Sequence, residues 1–340
     1  MKRGAPHIWS IPPGVPFLKT LARAILAGGF PSGHLPRPDP TDLAAYTVLV
    51  PTRRAARELA NAFLNESDGA ALLLPRIQPL GDVDEQEFAL TPEHFEGVAA
   101  PEFPPAIAPL RRQLILARLL MDWARDNRTT EFSKALLAHP AQAVEVAADL
   151  GRLVDQLETE DVPLEALGQL VSDDFAAYWQ DVLTVLDIVR RQLPDELETR
   201  GMIGPSERRN QLISAEAARL AAVNPEAPFI AAGSTGSIPA TARLLRSIAH
   251  LPNGAVVLPG LDTSLDEDSW QALDPQHPQF GLAELVAGLG ARREHVEILG
   301  KVDSTSQSHA KLLSEVMRPS ETTDLWQQSL PQLAPELEGA

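Results

Sequence analysis

The sequence contains no cysteine, which excludes disulfides, thiolate zinc sites and cysteine-ligated iron–sulfur clusters within this chain. Aromatic residues make up only 5% of it, too few for a run of base-stacking platforms. Trp123, Trp179, Trp270 and Trp326 read instead as core or interface anchors. No apolar run approaches the roughly 20 residues that cross a bilayer. The N-terminal stretch, Lys2 and Arg3 followed by Pro6, His7 and further prolines, lacks a continuous signal-peptide core. A cytoplasmic protein with no membrane segment is expected. The histidines are scattered without an H-E-x-x-H pair, and no Ser-His-Asp grouping presents itself. Basic residues are scarce as well: 29 Lys and Arg against 46 Asp and Glu leave a net charge of −17. On its face that balance argues against a free-standing nucleic-acid binder.

What is present is a globular chain of 340 residues, 44% hydrophobic, long enough for two domains or one domain with a large insert. Its charge is uneven. Residues 1–60 come out at about +5 and residues 201–260 at about +2, whereas residues 141–200 carry about −10 and residues 261–340 about −9. Residues 8–11 and 46–51, within "HIWSI" and "YTVLVP", read as short buried strands, apolar, β-branched and closed by proline. A helix follows each, "FLKTLARAIL" and then "TRRAARELANAFL", whose Ala56, Leu59, Ala60 and Phe63 make one apolar face. Strand, helix, loop, strand, helix is the opening of a parallel α/β sheet. Residues 71–74 are a third candidate strand.

From about Pro105 to Ala222 the texture turns helical. Leu110, Leu114, Ala117, Leu120 and Ala124 mark one amphipathic face. Val144, Ala147, Leu150, Val154 and Leu157 mark a second, and Trp179, Val182, Leu186, Val189 and Leu193 a third. The α/β texture returns at "APFIAAGSTGSIPATARLLRSIAHLPNGAVVLPGLD", with a strand, a Gly-Ser-Thr-Gly turn, a helix from about Pro239 and another strand. The expected fold is thus a P-loop-like parallel sheet lobe interrupted by an all-helical insert subdomain. Its parts run over residues 1–104, 105–222 and 223–300, followed by a tail over 301–340.

One stretch bears on chemistry. "WSIPPGVPFLKTLARAIL" ends in Lys19-Thr20 at a helix start, as a phosphate-binding loop G-x-x-x-x-G-K-[ST] does, but Pro13 and Leu18 stand where that loop needs glycines. Gly14, Lys19 and Thr20 are the candidate nucleotide-binding residues, with Lys19 toward a β- or γ-phosphate and Thr20 toward Mg²⁺. Against this, Pro16 removes an N–H and Leu18 crowds the backbone; the alternative is a plain strand–turn–helix with a solvent-facing Lys. An ATPase of this kind also needs an acid at the end of a later strand. After "PFIAA" the chain offers Gly233-Ser234-Thr235-Gly236, and Asp262 after the next strand is the nearest substitute. A turn Asp explains that residue equally well. Asp82, Asp84, Glu85 and Glu87 lack the register of a calcium loop and read as an exposed acidic turn.

Six phrases, in order, resemble the amino-terminal part of the AddB family in its alphaproteobacterial form. They are "IPPGVPFLKTLARAIL", "VLVPTRRAARELANAF", "LLLPRIQPLGDVDE", "FIAAGSTGSIPATARLLRSIAHLPNGAVVLPGLD", "HPQFGLAELV" and "LLSEVMRPSETTDLW", spanning about Ile8 to Trp326. AddB is the double-strand-break repair subunit of bacterial AddAB helicase–nucleases. The resemblance implies a superfamily 1 helicase-like lobe, an AddA-like helicase–nuclease partner subunit, and a role at DNA ends before homologous recombination. The full-length family continues into a second lobe and a nuclease domain with an iron–sulfur cluster, so the resemblance implies a shortened or partial member. No catalytic residue and no metal ligand carries over. No cofactor is expected in this chain beyond ATP and Mg²⁺ at the altered loop. "PTRRAAREL" resembles the motif by which such helicases touch a single-strand backbone, making Thr52, Arg53, Arg54 and Arg57 candidate DNA contacts. The alternative for these arginines is pairing with residues 82–87 or with a partner subunit. Ser234 and Thr235, in residues 233–237, are candidates for a small anion-binding turn, or else belong to a plain loop before a helix. An ATP-binding enzyme with an atypical loop and a non-catalytic interaction scaffold are the two rival readings.

Overall fold

The computed structural model describes residues 5–33, 35–80, 103–163 and 185–327. The chain divides into two compact units. One comprises Met1–Ala89, Glu216–Ser237 and Thr241–Ala340, the other Leu90–Ala215 with Ile238–Ala240. No described helix is long and apolar enough to cross a membrane.

The first unit is built on a six-stranded, wholly parallel sheet. Its strands are β1 (Ile8–Ile11), β2 (Thr47–Val50), β3 (Arg76–Pro79), β4 (Phe229–Ala232), β5 (Gly254–Pro259) and β6 (Glu297–Ile298). They lie in the order β3-β2-β4-β5-β1-β6. Central strands flanked on both sides must be apolar on both faces, and β4 and β5 are buried almost throughout. The edges differ. Both residues of β6 are exposed, and β3 ends in Pro79, which an edge strand tolerates because one of its sides needs no N–H. The third strand is therefore not at residues 71–74. Leu73 and Leu74 are exposed, and the backbone that pairs with Thr47–Val50 is the less apolar Arg76–Pro79.

Helix α1 (Phe17–Ala27) joins β1 toward β2 and packs against α2 (Arg53–Glu66), which follows β2. Leu59 and Phe63 of α2 are fully buried, as their spacing predicts, and burial of two such side chains contributes about 2 kcal/mol each. The chain moves from β1 to β2 to β3 in one direction along the sheet. It then returns through β4 and β5 and passes β1 to reach β6. With right-handed crossovers, the connections after β1 and β5 leave on opposite faces, so the carboxyl ends beside β1 form the crevice where open α/β sheets bind ligands. Among the described residues four further α-helices follow β4: α8 (Pro239–Ala249), α9 (Glu267–Gln271), α10 (Phe280–Gly288) and α11 (Ser304–Val316). Between β3 and β4 the described residues hold five more α-helices.

Those helices are α3 (Pro109–Asp126), α4 (Glu131–Ala138), α5 (Pro140–Thr159), α6 (Leu193–Thr199) and α7 (Pro205–Val223). Apart from the later part of α7, they build the second unit. Proline opens α3 and α5 where its missing N–H costs nothing, and the Thr130 hydroxyl caps α4 by accepting from Ser133 N–H at 3.1 Å. Ala147, Leu150 and Val154 are buried on the expected face of α5. On α3 the expected face is corrected in its first part: Leu110 and Leu114 are exposed, while Ala117, Leu120 and Ala124 are buried as expected, together with Ile115, Leu116, Leu119 and Trp123. The buried stripe begins with a charged residue, Arg112, whose guanidinium is neutralised by Asp155 of α5 at 2.7 and 2.5 Å. Hydrophobicity alone misplaces only the start of the stripe. Before α6, residues Ile188–Gln192 form a wide π turn. Pro194 in the following turn has no N–H to donate back, and its ring crowds the preceding turn. Val189 and Leu193 are buried there, while Trp179 and Val182 lie outside the described residues.

Candidate functional site

The loop after β1 is short of the groups that would hold a phosphate. Of residues 12–16, three are proline, which leaves N–H groups on Gly14 and Val15, and that of Val15 is donated to Pro12 O at 3.3 Å. Gly14 has φ +85°, so a left-handed turn is made where no glycine of the phosphate-loop pattern falls. Leu18, in the second glycine position, packs against the core cluster around Leu21 and Ile25.

The chain itself packs on two flanks of this loop. A Cβ at Gly233, the residue after β4, would lie 3.4 Å from the Phe17 ring and 3.5 Å from Pro51. The aromatic ring that opens α1 thus sits against the carboxyl end of β4 and the residue following β2. On the other side, a Cβ at Gly300 would come within 3.0 Å of Thr20 Cγ2 and 3.2 Å of Val15 Cγ1. A Cβ at Gly14 would meet Ser306 Cβ at 3.1 Å. The connection from β6 to α11 therefore lies directly on Gly14, Val15 and Thr20. Asp303 fixes that connection as the N-cap of α11, its carboxylate accepting from Ser306 N–H at 2.9 Å and from the Ser306 hydroxyl at 2.7 Å.

Lys19 is turned toward α2. Its ammonium lies 3.4 Å from Glu66, which Arg23 also engages at 2.8 Å. Burial pushes the Glu66 carboxyl up, but the hydrogen bonds and charges of Arg23 and Lys19 outweigh it and hold it below the ordinary value. A second requirement of nucleotide hydrolysis, an acid after β4, is unmet: residues 233–236 carry no carboxylate. Asp262 is a turn residue, its Oδ1 accepting from the N–H groups of Ser264 at 2.7 Å and Leu265 at 3.0 Å.

Ser234 and Thr235 lie in the turn between β4 and α8. The Ser234 hydroxyl accepts from Gly236 N–H at 3.3 Å, and Thr235 is exposed. Gly236 has φ +64°, and a Cβ there would come 2.6 Å from Leu285 of α10. The glycine is thus called for by its left-handed backbone without any ligand. Thr52 is the N-cap of α2, its hydroxyl accepting from Ala55 N–H at 3.1 Å. Arg53 lies beside it, half-buried, and Arg54 and Arg57 are exposed. Among the described residues no ion pair engages Arg54 or Arg57. Residues 82–87, the acidic alternative for these arginines, lie outside the described residues.

A pocket of about 480 Å³ remains at the carboxyl ends of β1 and β5, bounded by β6 and α11. Pro13, Asp262, Gln279, Ile298, Leu313 and Met317 are among its walls, and none of its lining residues is Lys or Arg. A phosphate there would have no counter-charge. Within it His277 accepts Gln279 N–H at Nδ1, which leaves Nε2 to donate to Met317 O at 2.8 Å. Among the described residues no group of three or more His, Asp or Glu side chains is placed to hold a metal ion. Phe17, Gly300 and Ser306, which fill the loop's surroundings, carry no sequence signal of that role, since each acts through tertiary contact alone. No protein-family model and no curated protein matches the chain.

Proposed function

We propose that this chain is a helicase-shaped lobe that has given up nucleotide chemistry and serves as a scaffold in a DNA-end-processing assembly of the AddB type. On this reading the sheet unit is a superfamily 1-like lobe, the helices between β3 and β4 are its insert subdomain, and an AddA-like motor subunit is its partner. DNA ends are met mainly through that assembly, in the cytoplasm, ahead of homologous recombination. The observation that supports it is the loop's surroundings: Phe17 packs on Gly233 on one side, Gly300 and Ser306 press on Thr20, Val15 and Gly14 on the other, and the pocket left beside β1 has no Lys or Arg in its lining. The loop is deprived of N–H donors by prolines, and its Lys is drawn to Glu66. The strand order, with β5 between β1 and β4, supports the lobe assignment. The exposed Arg54 and Arg57 at the start of α2 support a backbone contact, because a helix N-terminus adds N–H groups and a positive dipole end to their charge.

Two measurements test this. ATP turnover by the purified chain, with and without single-stranded DNA, is expected to stay at background and to be unaffected by Lys19→Ala. Robust turnover abolished by that substitution would overturn the scaffold reading in favour of an ATP-binding enzyme. DNA-end binding by the chain with an AddA-type subunit should be salt-dependent, and Arg54→Ala/Arg57→Ala should flatten the dependence by about 0.7 per lost phosphate contact on a single strand. If wild type shows no salt-dependent contribution in either setting, the net charge of −17 points to a purely protein-binding scaffold.

A further inference from the structure

We infer that the pocket at the carboxyl ends of β1 and β5 is a binding site for a small organic amine, one protonated nitrogen carried on an apolar body, with Asp262 as its anchor. This goes beyond the scaffold reading and does not rest on it. The size fits, since about 480 Å³ is a volume that holds a molecule of drug size. The walls fit as well. Pro12, Pro13, Leu261, Ile298, Leu313 and Met317 present apolar surface to it. Ile298 is 48%, Leu313 60% and Met317 44% exposed, so the body of a ligand would cover apolar area that the chain leaves in water.

The polar side chains of the wall decide the charge. Gln279 is spent at both ends, its Oε1 accepting from Asp262 N–H and its Nε2 donating to Gly260 O, each at 3.0 Å. His277 is spent likewise, on Gln279 N–H and Met317 O. Half-buried Asp262 uses only one carboxylate oxygen. Its Oδ1 holds the turn through Ser264 and Leu265, while among the described residues Oδ2 accepts no hydrogen bond and no Lys or Arg pairs with it. Of the basic residues nearest in sequence to the lining, Arg318 is buried against Asp266 and Glu315, and Lys301 and Lys311 form no part of the wall. The end of α11, which brings Leu313, Ser314 and Met317 to the pocket, adds the negative pole of a helix dipole. A carboxylate with an unshared oxygen, set in an apolar wall without a counter-charge, attracts a cation and repels an anion. No Phe, Tyr or Trp lines the pocket to cage a quaternary ammonium, so the cation favoured is one with N–H groups to donate to Oδ2.

Three molecules of one shape and different charge test the site: phenylbutylammonium, phenylbutanol and phenylbutyrate, each titrated at neutral pH into the full chain with isotope-labelled methionine methyl groups. Of the 4 methionines, Met317 is the one that lines the pocket, and its methyl signal is assigned by Met317→Leu. Phenylbutylammonium should shift that signal saturably and leave those of Met121 and Met202 in place, with a Kd about fivefold below that of the alcohol. The carboxylate should bind more weakly than either. Asp262→Asn keeps the Oδ1 acceptor that holds the turn and removes one charge from a net −17, so a general attraction between an acidic protein and a cation survives it. The preference for the ammonium over the alcohol should nevertheless vanish. Leu313→Lys, at an exposed position on α11, sets a cation at the wall and should weaken the ammonium and strengthen the carboxylate, which keeps the test decisive should Asp262→Asn not fold. A Met317 methyl unmoved by phenylbutylammonium, an alcohol that binds as tightly, a preference retained in Asp262→Asn, or ammonium binding indifferent to Leu313→Lys would overturn the proposal.

Discussion

Gly254 opens β5 in a space with no room for a side chain: a Cβ there would lie 1.9 Å from Ile248 O and 2.9 Å from Leu251 Cβ. The neighbouring bonds hold that space closed, with Gly254 N–H donated to Leu251 O at 3.1 Å and Phe229 N–H to Asn253 O at 3.0 Å. Backbone cannot yield as a flexible side chain does, so Gly254→Ala should destabilise the sheet unit by about 3 kcal/mol. A lowered urea midpoint at unchanged m would register it. Gly233 is the contrasting case. Its Cβ space is ordinary van der Waals distance from Phe17 and Pro51, so its cost comes only from φ +81°, about 1 kcal/mol for Gly233→Ala. A ranking in which Gly233→Ala is the more damaging would mean that the Phe17 ring packs more tightly against β4 than these distances give.

At the scale of elements, what could be read in advance follows what each element must bury. The strands β1, β2, β4 and β5 are apolar on both faces because both faces are covered, and their sequences announce it. The edges β3 and β6 have no such obligation, and "RIQP" and "EI" carry no pattern to find. Helix α3 misleads for a different reason, since Arg112 occupies a buried position that only its pairing with Asp155 makes tolerable. Helix α2 is legible at both ends of its logic, in its apolar face and in its start. Thr52→Ala removes the cap and should cost about 1 kcal/mol of stability. The Thr52 hydroxyl accepts from Ala55 N–H and has its own O–H left to donate, but it carries no charge, so the same substitution should leave the proposed DNA binding near wild type at temperatures where the protein is folded. A loss as large as that of Arg54→Ala/Arg57→Ala would instead assign the hydroxyl to the phosphate.

For the whole molecule, the loop after β1 could be seen from its sequence to lack glycines, but what replaced the phosphate could not. Phe17, Gly300 and Ser306 are distant in sequence and meet only through the sheet order. The same holds for two of the hydrophobic clusters among the described residues. One gathers around Leu21, Val48, Phe63 and Val257, the other around Leu116, Leu120, Ala147 and Val189. Each of these clusters lies within one unit, and each has an indole reporter. Trp9 meets Phe30 edge-on with ring centres 5.1 Å apart, and Trp123 packs on Phe132 at 5.9 Å. Two cores that share no buried side chain need not melt together. Variants retaining tryptophan only at Trp9 or only at Trp123 should therefore give urea transitions that do not coincide. Burial, then the charges of Glu207 and Asp155, push the Glu158 carboxyl of the helical unit up to about 7, so raising the pH from 6 to 8 should move the Trp123 curve to lower urea and leave the Trp9 curve in place. Superimposable curves at both pH values would mean that the units unfold as one cooperative body, with the proton at Glu158 felt across the whole chain.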